Sequence, residues 1–418
     1  MNMIHKKKIL YIATRSPFPT SGGREKMILQ TIEFLKEVYD LYFIYFSSEV
    51  NLNSSLVKML SISRVSTLRP PSFLQIIKNI IFRRKYSFQE NLFYSPHNEK
   101  VIQGVLEGFK ADLLIADMIR CAQFVESSKL PKICEMDDLL SIRYKRALKD
   151  NQSDGNIMGT FSNKFSKIFN CLGSGYWGRF VLYLEAKKIR RRELDVARTF
   201  DAVTLVSMKE ASILQDELKG ERIFGIPPTV KRHCFVPSFV DTNSFLFLGN
   251  LRTPQNYSSI VFIVKSVLPF FDQHGLNYEL NIVGDYDDRA VELIKFNKNV
   301  NLLGFVESID KVILGSKLLL APISFGTGIK LKILDAMSFG LPVITNSIGI
   351  EGIPGQNYKD FIVEDEPDKL AKAAIELCKN DKMLFKIKNG GLSVVRNNFL
   401  YKDVSERYLS IIDEVSHV

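Results

Sequence analysis

Three observations on this 418-residue chain predict an α/β fold with two successive parallel sheets. Short, β-rich apolar runs alternate with longer helical patterns, the rhythm of βαβ units. That rhythm breaks once, near 227–243, where Pro227-Pro228 and Pro237 bracket a polar stretch. The length fits two domains of ~100–200 residues each.

In the first half, Lys8–Ala13, Leu41–Phe46, Leu113–Ala116, Lys132–Met136 and Ala202–Ser207 read as strands. Gly23–Glu37 and a charged stretch over Leu184–Arg198 read as helices. A fresh strand at Phe245–Leu248 opens the second series, followed by Glu279–Val283, Val300–Leu303, Leu318–Ala321 and Pro342–Thr345. Lys330–Phe339 has helical spacing and stops at Gly340-Leu341-Pro342. Asp368–Lys379, Asp381–Asn397 and the amphipathic segment 399–418 complete the helices. The expected domains are therefore 1–240 and 241–398, with 399–418 a terminal helix packing back toward the first domain. Ligands of such sheets bind outside the carboxyl ends of the strands, so a central cleft between the domains is expected.

Composition narrows the classes. Hydrophobic residues at 46% and charged residues at 24% are enough for a sizeable core and argue against disorder. No apolar run approaches the ~18–20 residues of a membrane span. Lys6-Lys7-Lys8 before Ile9–Ala13 mimics the start of a signal peptide, but no A-x-A-like site follows, so a cytoplasmic protein is expected. Cys121, Cys134, Cys171, Cys234 and Cys378 are scattered without C-x-x-C spacing, and His5, His97, His233, His274 and His417 match no ligand spacing. Buried free thiols and no metal site are the expectation.

The net charge is +10, and its distribution is uneven. Residues 1–240 hold 37 Lys and Arg against 24 Asp and Glu, whereas 241–418 hold 19 against 22. A basic first half points to an anionic partner for that half. Phe73, Ile76, Ile77, Ile80 and Ile81 share one broad helical face beside Lys78, Arg83, Arg84 and Lys85. The stretch Phe161 to Arg192 repeats the theme with Phe165, Ile168, Phe169, Trp177, Phe180, Val181 and Leu184 before Lys187-Lys188 and Arg190-Arg191-Arg192. Both fit an anionic membrane surface on the inner face of the cell membrane, and equally ordinary packing on the domain core. No nucleic-acid motif accompanies the charge, so nucleic acid is not an expected partner.

Chemistry concentrates in Pro322-Ile-Ser-Phe-Gly-Thr-Gly-Ile-Lys-Leu-Lys-Ile-Leu-Asp-Ala-Met-Ser-Phe-Gly-Leu-Pro-Val-Ile-Thr345. Gly326 and Gly328 follow a strand and open a helix, whose N-terminus presents unpaired N–H groups and a positive dipole. Lys330 and Lys332 add cationic donors, and Asp335 is placed to accept hydrogen bonds from a ribose diol. The pattern reads as a diphosphate cradle; the same glycines and lysines would also serve a plain turn and a solvated face.

This stretch resembles the signature of glycosyltransferase family 4, a retaining family with the GT-B fold of two Rossmann-like domains facing a cleft. The match continues through Gly349-Ile350-Glu351-Gly352 and is preceded by similar strands at Val300–Val306 and Lys317–Pro322. Phe247-Leu-Gly249-Asn-Leu-Arg252-Thr-Pro-Gln-Asn256 resembles the opening of the second domain. Pro17 to Arg24, with Gly22-Gly23, is similar to the family's first loop, and Asp137 to Tyr144 to a segment of exopolysaccharide sugar transferases.

Three features depart from the pattern. Of a Glu-x7-Glu pair, the first position is Thr327 and the second Asp335. An Arg and a Lys after the first strand of the second domain are replaced by Asn250 and Gln255, leaving phosphate to Lys330 with Arg252 or Lys332. A histidine after the Lys132–Met136 strand is replaced by Asp137, readable as acceptor base, sugar contact or helix N-cap.

The resemblance implies transfer of a hexosyl or N-acetylhexosaminyl group, with retention, from a UDP- or GDP-sugar to a glycan or lipid-linked acceptor in cell-surface polysaccharide synthesis. The nucleotide-sugar is then a substrate, and neither a cofactor nor a metal is expected. The catalytic candidates are Lys330, Asp137 and Thr327; the donor-binding candidates are Gly22, Gly23, Gly249, Arg252, Gly326, Gly328, Lys332, Asp335 and Glu351. Two alternatives stay open: a sugar-nucleotide epimerase of similar shape, and a silent nucleotide-sugar-binding subunit.

Overall fold

The computed structural model describes residues 6–20, 22–48, 53–62, 64–149, 176–220, 222–231, 242–326 and 328–416. These form two compact units. One holds residues up to 148, then 176–228 and 404–416; the other holds 229–403. The chain thus changes unit after Pro228, ahead of the boundary expected at 240.

The first unit runs β1 (Lys8–Ala13), α1 (Gly23–Lys36), β2 (Asp40–Phe46), α2 (Asn53–Leu60), β3 (Arg64–Leu68), α3 (Phe73–Phe82), α4 (Phe88–Asn91) and α5 (Pro96–Phe109). It continues with β4 (Leu113–Asp117), α6 (Met118–Ala122), β5 (Lys132–Asp137), α7 (Leu140–Lys149), α8 (Tyr176–Thr199), β6 (Ala202–Leu205), α9 (Met208–Leu218) and β7 (Ile223–Gly225). The seven strands are parallel, in the order β3-β2-β1-β4-β5-β6-β7. Strand order reverses between β1 and β4, which makes a topological switch point there. Central strands bury both faces: Ile9, Leu10, Tyr11, Ile12 and Ala13 are all fully buried, which explains why β1 reads as a continuous apolar run.

The second unit comprises β8 (Ser244–Leu248), α10 (Pro254–Phe262), α11 (Leu268–Gln273), β9 (Glu279–Val283), α12 (Asp288–Ile294), β10 (Val300–Gly304), α13 (Ile309–Leu314) and β11 (Leu318–Ala321). It closes with α14 (Leu331–Ser338), β12 (Val343–Thr345), β13 (Ile362–Val363), α15 (Pro367–Lys379) and α16 (Asp381–Asn398); α17 (Tyr401–Ser416) follows, and from Val404 on it belongs to the first unit. Its six strands are parallel in the order β10-β9-β8-β11-β12-β13, so the switch point lies between β8 and β11. Alternate residues of these strands divide between two cores, Phe245, Phe247 and Leu320 in one, Leu246, Leu248 and Leu319 in the other.

Although Tyr401–Asp403 at the start of α17 belong to the second unit, Val404, Tyr408, Ile411, Ile412 and Val415 lie in the core of the first, with Phe43, Tyr45 and Leu35. Tyr408 donates its hydroxyl to Glu135 Oε1 of β5 at 2.8 Å. α8 starts at Tyr176, a turn or more before the expected Leu184, while 161–175 lie outside the described residues.

Candidate functional site

In the second unit the loops after β8 and β11 flank the switch point. The β8 loop is held against the β9 loop by Gly249 N–H to Val283 O (2.9 Å) and Leu251 N–H to Asp285 O (2.7 Å). That approach requires glycine: Gly284 has φ +138°, and a Cβ on it would lie 2.3 Å from Gly249 O. After β11, Gly326 has φ +132°, and a Cβ there would meet Gln255 Nε2 at 2.7 Å. Gly328 has φ +71° with nothing within 4 Å of its missing Cβ, so its outer side is open.

The first turn of α10 connects the two loops. Asn256 Nδ2 donates to Asn250 O (3.0 Å), and Asn256 Oδ1 accepts from Lys332 Nζ (2.7 Å). Lys332 also lies 4.5 Å over the Phe247 ring. Burial, then the charge of Lys330, pushes the Lys332 ammonium down to about 7. Lys330 is buried and donates to Gly328 O at 2.6 Å, folding its ammonium onto the glycine loop. It also holds the N-cap position of α14 without a capping hydrogen bond. A lysine has donors only, so its side chain cannot cap the first-turn N–H groups; Ile333 N–H bonds Lys330 O at 2.9 Å, and a helix N-terminus of this kind is a favourable place for an anion.

A third loop is tied to this corner by a residue that sequence reasoning missed. Asn346 Oδ1 accepts from Ile323 N–H and Gly349 N–H, both at 3.0 Å, and its Nδ2 donates to Ile323 O at 2.9 Å. The turn that carries Glu351 is thereby fixed to the β11 loop, and Glu351 itself is half-buried. Asp335, also half-buried, lies one turn into α14. The structure thus assembles Gly249, Gly326, Gly328, Lys330 and Lys332 around Gln255 and Asn256. Arg252, on the same β8 loop, is exposed and paired with Asp285 (Nε to Oδ2, 2.7 Å). Thr327 lies outside the described residues.

Gly22, Gly23 and Asp137 belong to the first unit. Gly22 is the N-cap of α1 and Gly23 its first residue; a Cβ on Gly22 would meet Glu25 Oε2 at 2.5 Å. Glu25 is paired with Arg15 at 2.9 Å. Asp137 ends β5 in the left-handed region, φ +70°, and receives Arg24 Nη1 at 3.2 Å.

Arg24 is the centre of a buried ionic network. Its guanidinium also meets Asp117 of β4 and Glu135 of β5, the latter at 3.2 Å. Asp117 accepts Thr14 N–H at 2.7 Å, tying the β1 loop to β4 across the switch point. Glu135 accepts hydroxyls from Tyr11 (2.8 Å), Thr31 (2.7 Å) and Tyr408. Burial raises the Asp137 carboxyl above its ordinary value; Arg24 pulls it back, and Asp138 pushes it up again. Burial alone would lower the Arg24 guanidinium, but Asp117 and Asp137 hold it well above its ordinary value. The available sequence signals were an acidic residue closing each of two strands beside the switch point and an arginine directly after the glycine pair.

Among the described residues no group of three or more His, Cys, Asp or Glu is placed to hold a metal ion. Cys121 and Cys134 are buried free thiols, and Cys378 is half-buried and free; Cys171 and Cys234 lie outside the described residues.

Residues 242–380 match the family described as "Glycosyl transferases group 1". The chain is 21% identical over 423 residues to the "Uncharacterized 44.6 kDa protein in cps region" of Klebsiella pneumoniae, across 95% of this chain and 97% of that one. Its fold is similar to Anabaena HepE, solved with UDP-glucose (TM-score 0.64, 14% identity, 98% of this chain and 100% of that chain). It is also similar to a mutant of S. aureus TarM solved with Fondaparinux, alpha-GlcNAc-glycerol and UDP (TM-score 0.66, 13% identity, 97% and 99%). The second unit therefore carries a group 1 glycosyltransferase domain, the chain resembles the family 4 enzymes, and its fold is GT-B.

Proposed function

We propose that this chain moves a hexosyl or N-acetylhexosaminyl group, with retention, from a UDP- or GDP-sugar to a hydroxyl of a glycan or lipid-linked acceptor, in cell-surface polysaccharide synthesis. The observation that carries the reading is the uncapped N-terminus of α14 behind an open glycine loop, with Lys330 and Lys332 beside it. In the reaction the bond from the anomeric carbon to the β-phosphate oxygen breaks and one to the acceptor oxygen forms. The acceptor loses its proton, and a nucleoside diphosphate leaves with the extra negative charge.

Lys330 and the α14 amides are the proposed stabilisers of that charge, in the role a divalent cation would otherwise take. Both would strengthen as the diphosphate departs, so they favour the transition state over the bound donor. For Lys330 this requires exchanging its bond to Gly328 O for one to phosphate, a short swing of a flexible side chain. Asp335 is assigned to the ribose diol, Glu351 to the sugar and Thr327 to the position where family members carry a sugar-contacting acid. Gly22 and Gly23 are assigned to the donor phosphate or the acceptor, and Asp137 to the acceptor. Asp137, which ends β5 beside Arg24, is assigned proton acceptance from the acceptor hydroxyl.

The test is incubation of the full chain with a panel of nucleotide-sugars, reading slow donor hydrolysis by release of the nucleoside diphosphate. Hydrolysis of one donor, lost in Lys330→Ala, is the expected result. Thermal protection by a donor without hydrolysis would make the chain a binding subunit, and interconversion of sugars without acceptor would make it an epimerase.

A further inference from the structure

α3 is built with its polarity reversed. Its inward side chains are Ile76 and the amide of Asn79, which donates to Asn91 O at 3.0 Å and Tyr94 O at 2.9 Å. Just beyond the helix, Arg83 stacks on the rings of Tyr86 and Tyr94. The outward side chains are apolar: Phe73, Leu74, Ile77, Ile80, Ile81 and Phe82, with Leu74 77% and Phe82 75% exposed. Of the face expected from the sequence, only Ile76 turns inward. Packing on the domain core therefore does not account for this helix, whose apolar stripe points the other way.

A second exposed apolar cluster adjoins it. α4 links the end of α3 to α8, because the N–H groups of Phe88 and Gln89 both bond the Glu185 carboxylate, at 2.9 and 3.1 Å. Around that anchor, Phe180, Val181, Tyr183 and Leu184 of α8 are exposed. Trp177 and 161–175 lie outside the side chains and residues described.

Charge identifies the partner. From Arg69 to Gln89 there is no Asp or Glu, while Arg69, Lys78, Arg83, Arg84 and Lys85 are all cationic. From Tyr176 to Arg191 the one acid is Glu185, which is buried, and Lys187, Lys188 and Arg191 are exposed. Glu126 pairs with Lys85 at 2.7 Å and Glu99 lies by Tyr94, so Lys78, Arg84, Lys187, Lys188 and Arg191 carry the excess positive charge; an exposed apolar stripe with such a predominantly cationic border matches the acyl boundary and headgroups of an anionic bilayer. A second copy of this face would oppose cation to cation.

We propose that the outward face of α3, continued by Phe180–Leu184 of α8, seats the first unit on an anionic lipid bilayer. The inference stands apart from the transferase reading, since it uses none of the residues assigned to donor or acceptor.

The full chain would be sedimented with vesicles of phosphatidylcholine alone and with phosphatidylglycerol mixed in. Partitioning at least about tenfold stronger to the anionic vesicles, falling as salt is raised, is expected. Leu74→Glu with Ile81→Glu should lower it about tenfold or more, and Lys78→Glu with Arg84→Glu should erase the lipid preference. Near-ultraviolet circular dichroism verifies folding, and the milder Leu74→Ser serves if the double variant is unfolded. Equal partitioning of wild type and variants would overturn the proposal. So would sedimentation velocity showing a dimer that the Leu74→Glu, Ile81→Glu variant dissolves, with no vesicle binding; the face would then join two copies.

Discussion

The two units share a plan and differ at the same place. Each is a parallel sheet whose strand order reverses once, and each gathers loops at that reversal. In the first unit the corner is occupied by one guanidinium and three carboxylates, those of Asp117, Glu135 and Asp137, locked by tyrosine and threonine hydroxyls. In the second it presents bare backbone and two lysines. Arg24 is thus already committed to acids, whereas the lysines are bonded to a carbonyl and an amide oxygen, neutral groups that a phosphate outcompetes. A shared topology does not by itself set the chemistry of the two corners; the side chains that each sequence places at the strand ends do.

The largest expected effect falls on the first unit. Arg24→Met would leave two buried carboxylates and the half-buried Asp137 around one missing cation and should lower stability by about 3–5 kcal/mol, read from urea unfolding. A loss below about 1 kcal/mol would mean the network does not hold the corner together. Lys330→Ala should weaken donor binding by ~1.5–3 kcal/mol in calorimetry, the range for a charged hydrogen bond, with the fold retained in circular dichroism. Unchanged affinity would erase the contrast between the two units.

Asp335→Asn should reduce nucleotide affinity by roughly 1 kcal/mol with little change in Tm; the reverse order would make Asp335 a structural residue. Lys332 predicts a pH dependence. Its ammonium is pushed down to about 7, so it is charged below that pH and neutral above it, and donor affinity should fall between pH 6 and pH 8. Lys332→Met should flatten that profile. On stability the sign is opposite: the unfolded lysine still holds its proton above pH 7, so the cost of burying the charge is relieved as pH rises from there toward its ordinary value. Smallest of all, Arg252→Ala should change stability by at most about 1 kcal/mol, because the Arg252–Asp285 pair is solvent-exposed.

Most of the fold was legible because central strands of parallel sheets are apolar on both faces and read as short continuous runs. β1, β9 and β11 have the expected bounds. The strands that escaped notice, β3, β7 and β13, include three of the four sheet edges; each is short or polar, with one hydrogen-bonded neighbour. The glycine–lysine corner was legible because local chain order builds it. The Arg24 network was not, since Arg24, Asp117 and Glu135 are far apart in sequence and meet only once β1, β4 and β5 are adjacent. Asn346 escaped for a similar reason: an amide bridging two loops has no sequence periodicity to reveal it. The reversed face of α3 was readable as amphipathic, but only the fold distinguishes an inward stripe from an outward one.

The placement of α17 has a consequence for synthesis. Tyr408, Val404 and Ile412 complete the hydrophobic interior around β1 and β2, yet the ribosome makes them after every strand of the other unit. The second-made unit can therefore finish folding first, while the first-made one waits, incomplete, for its last helix. A nonsense codon at Tyr401 would spare the glycine–lysine corner and strip Glu135 of one of its three hydroxyl donors, so the damage would surface hundreds of residues upstream of the lesion.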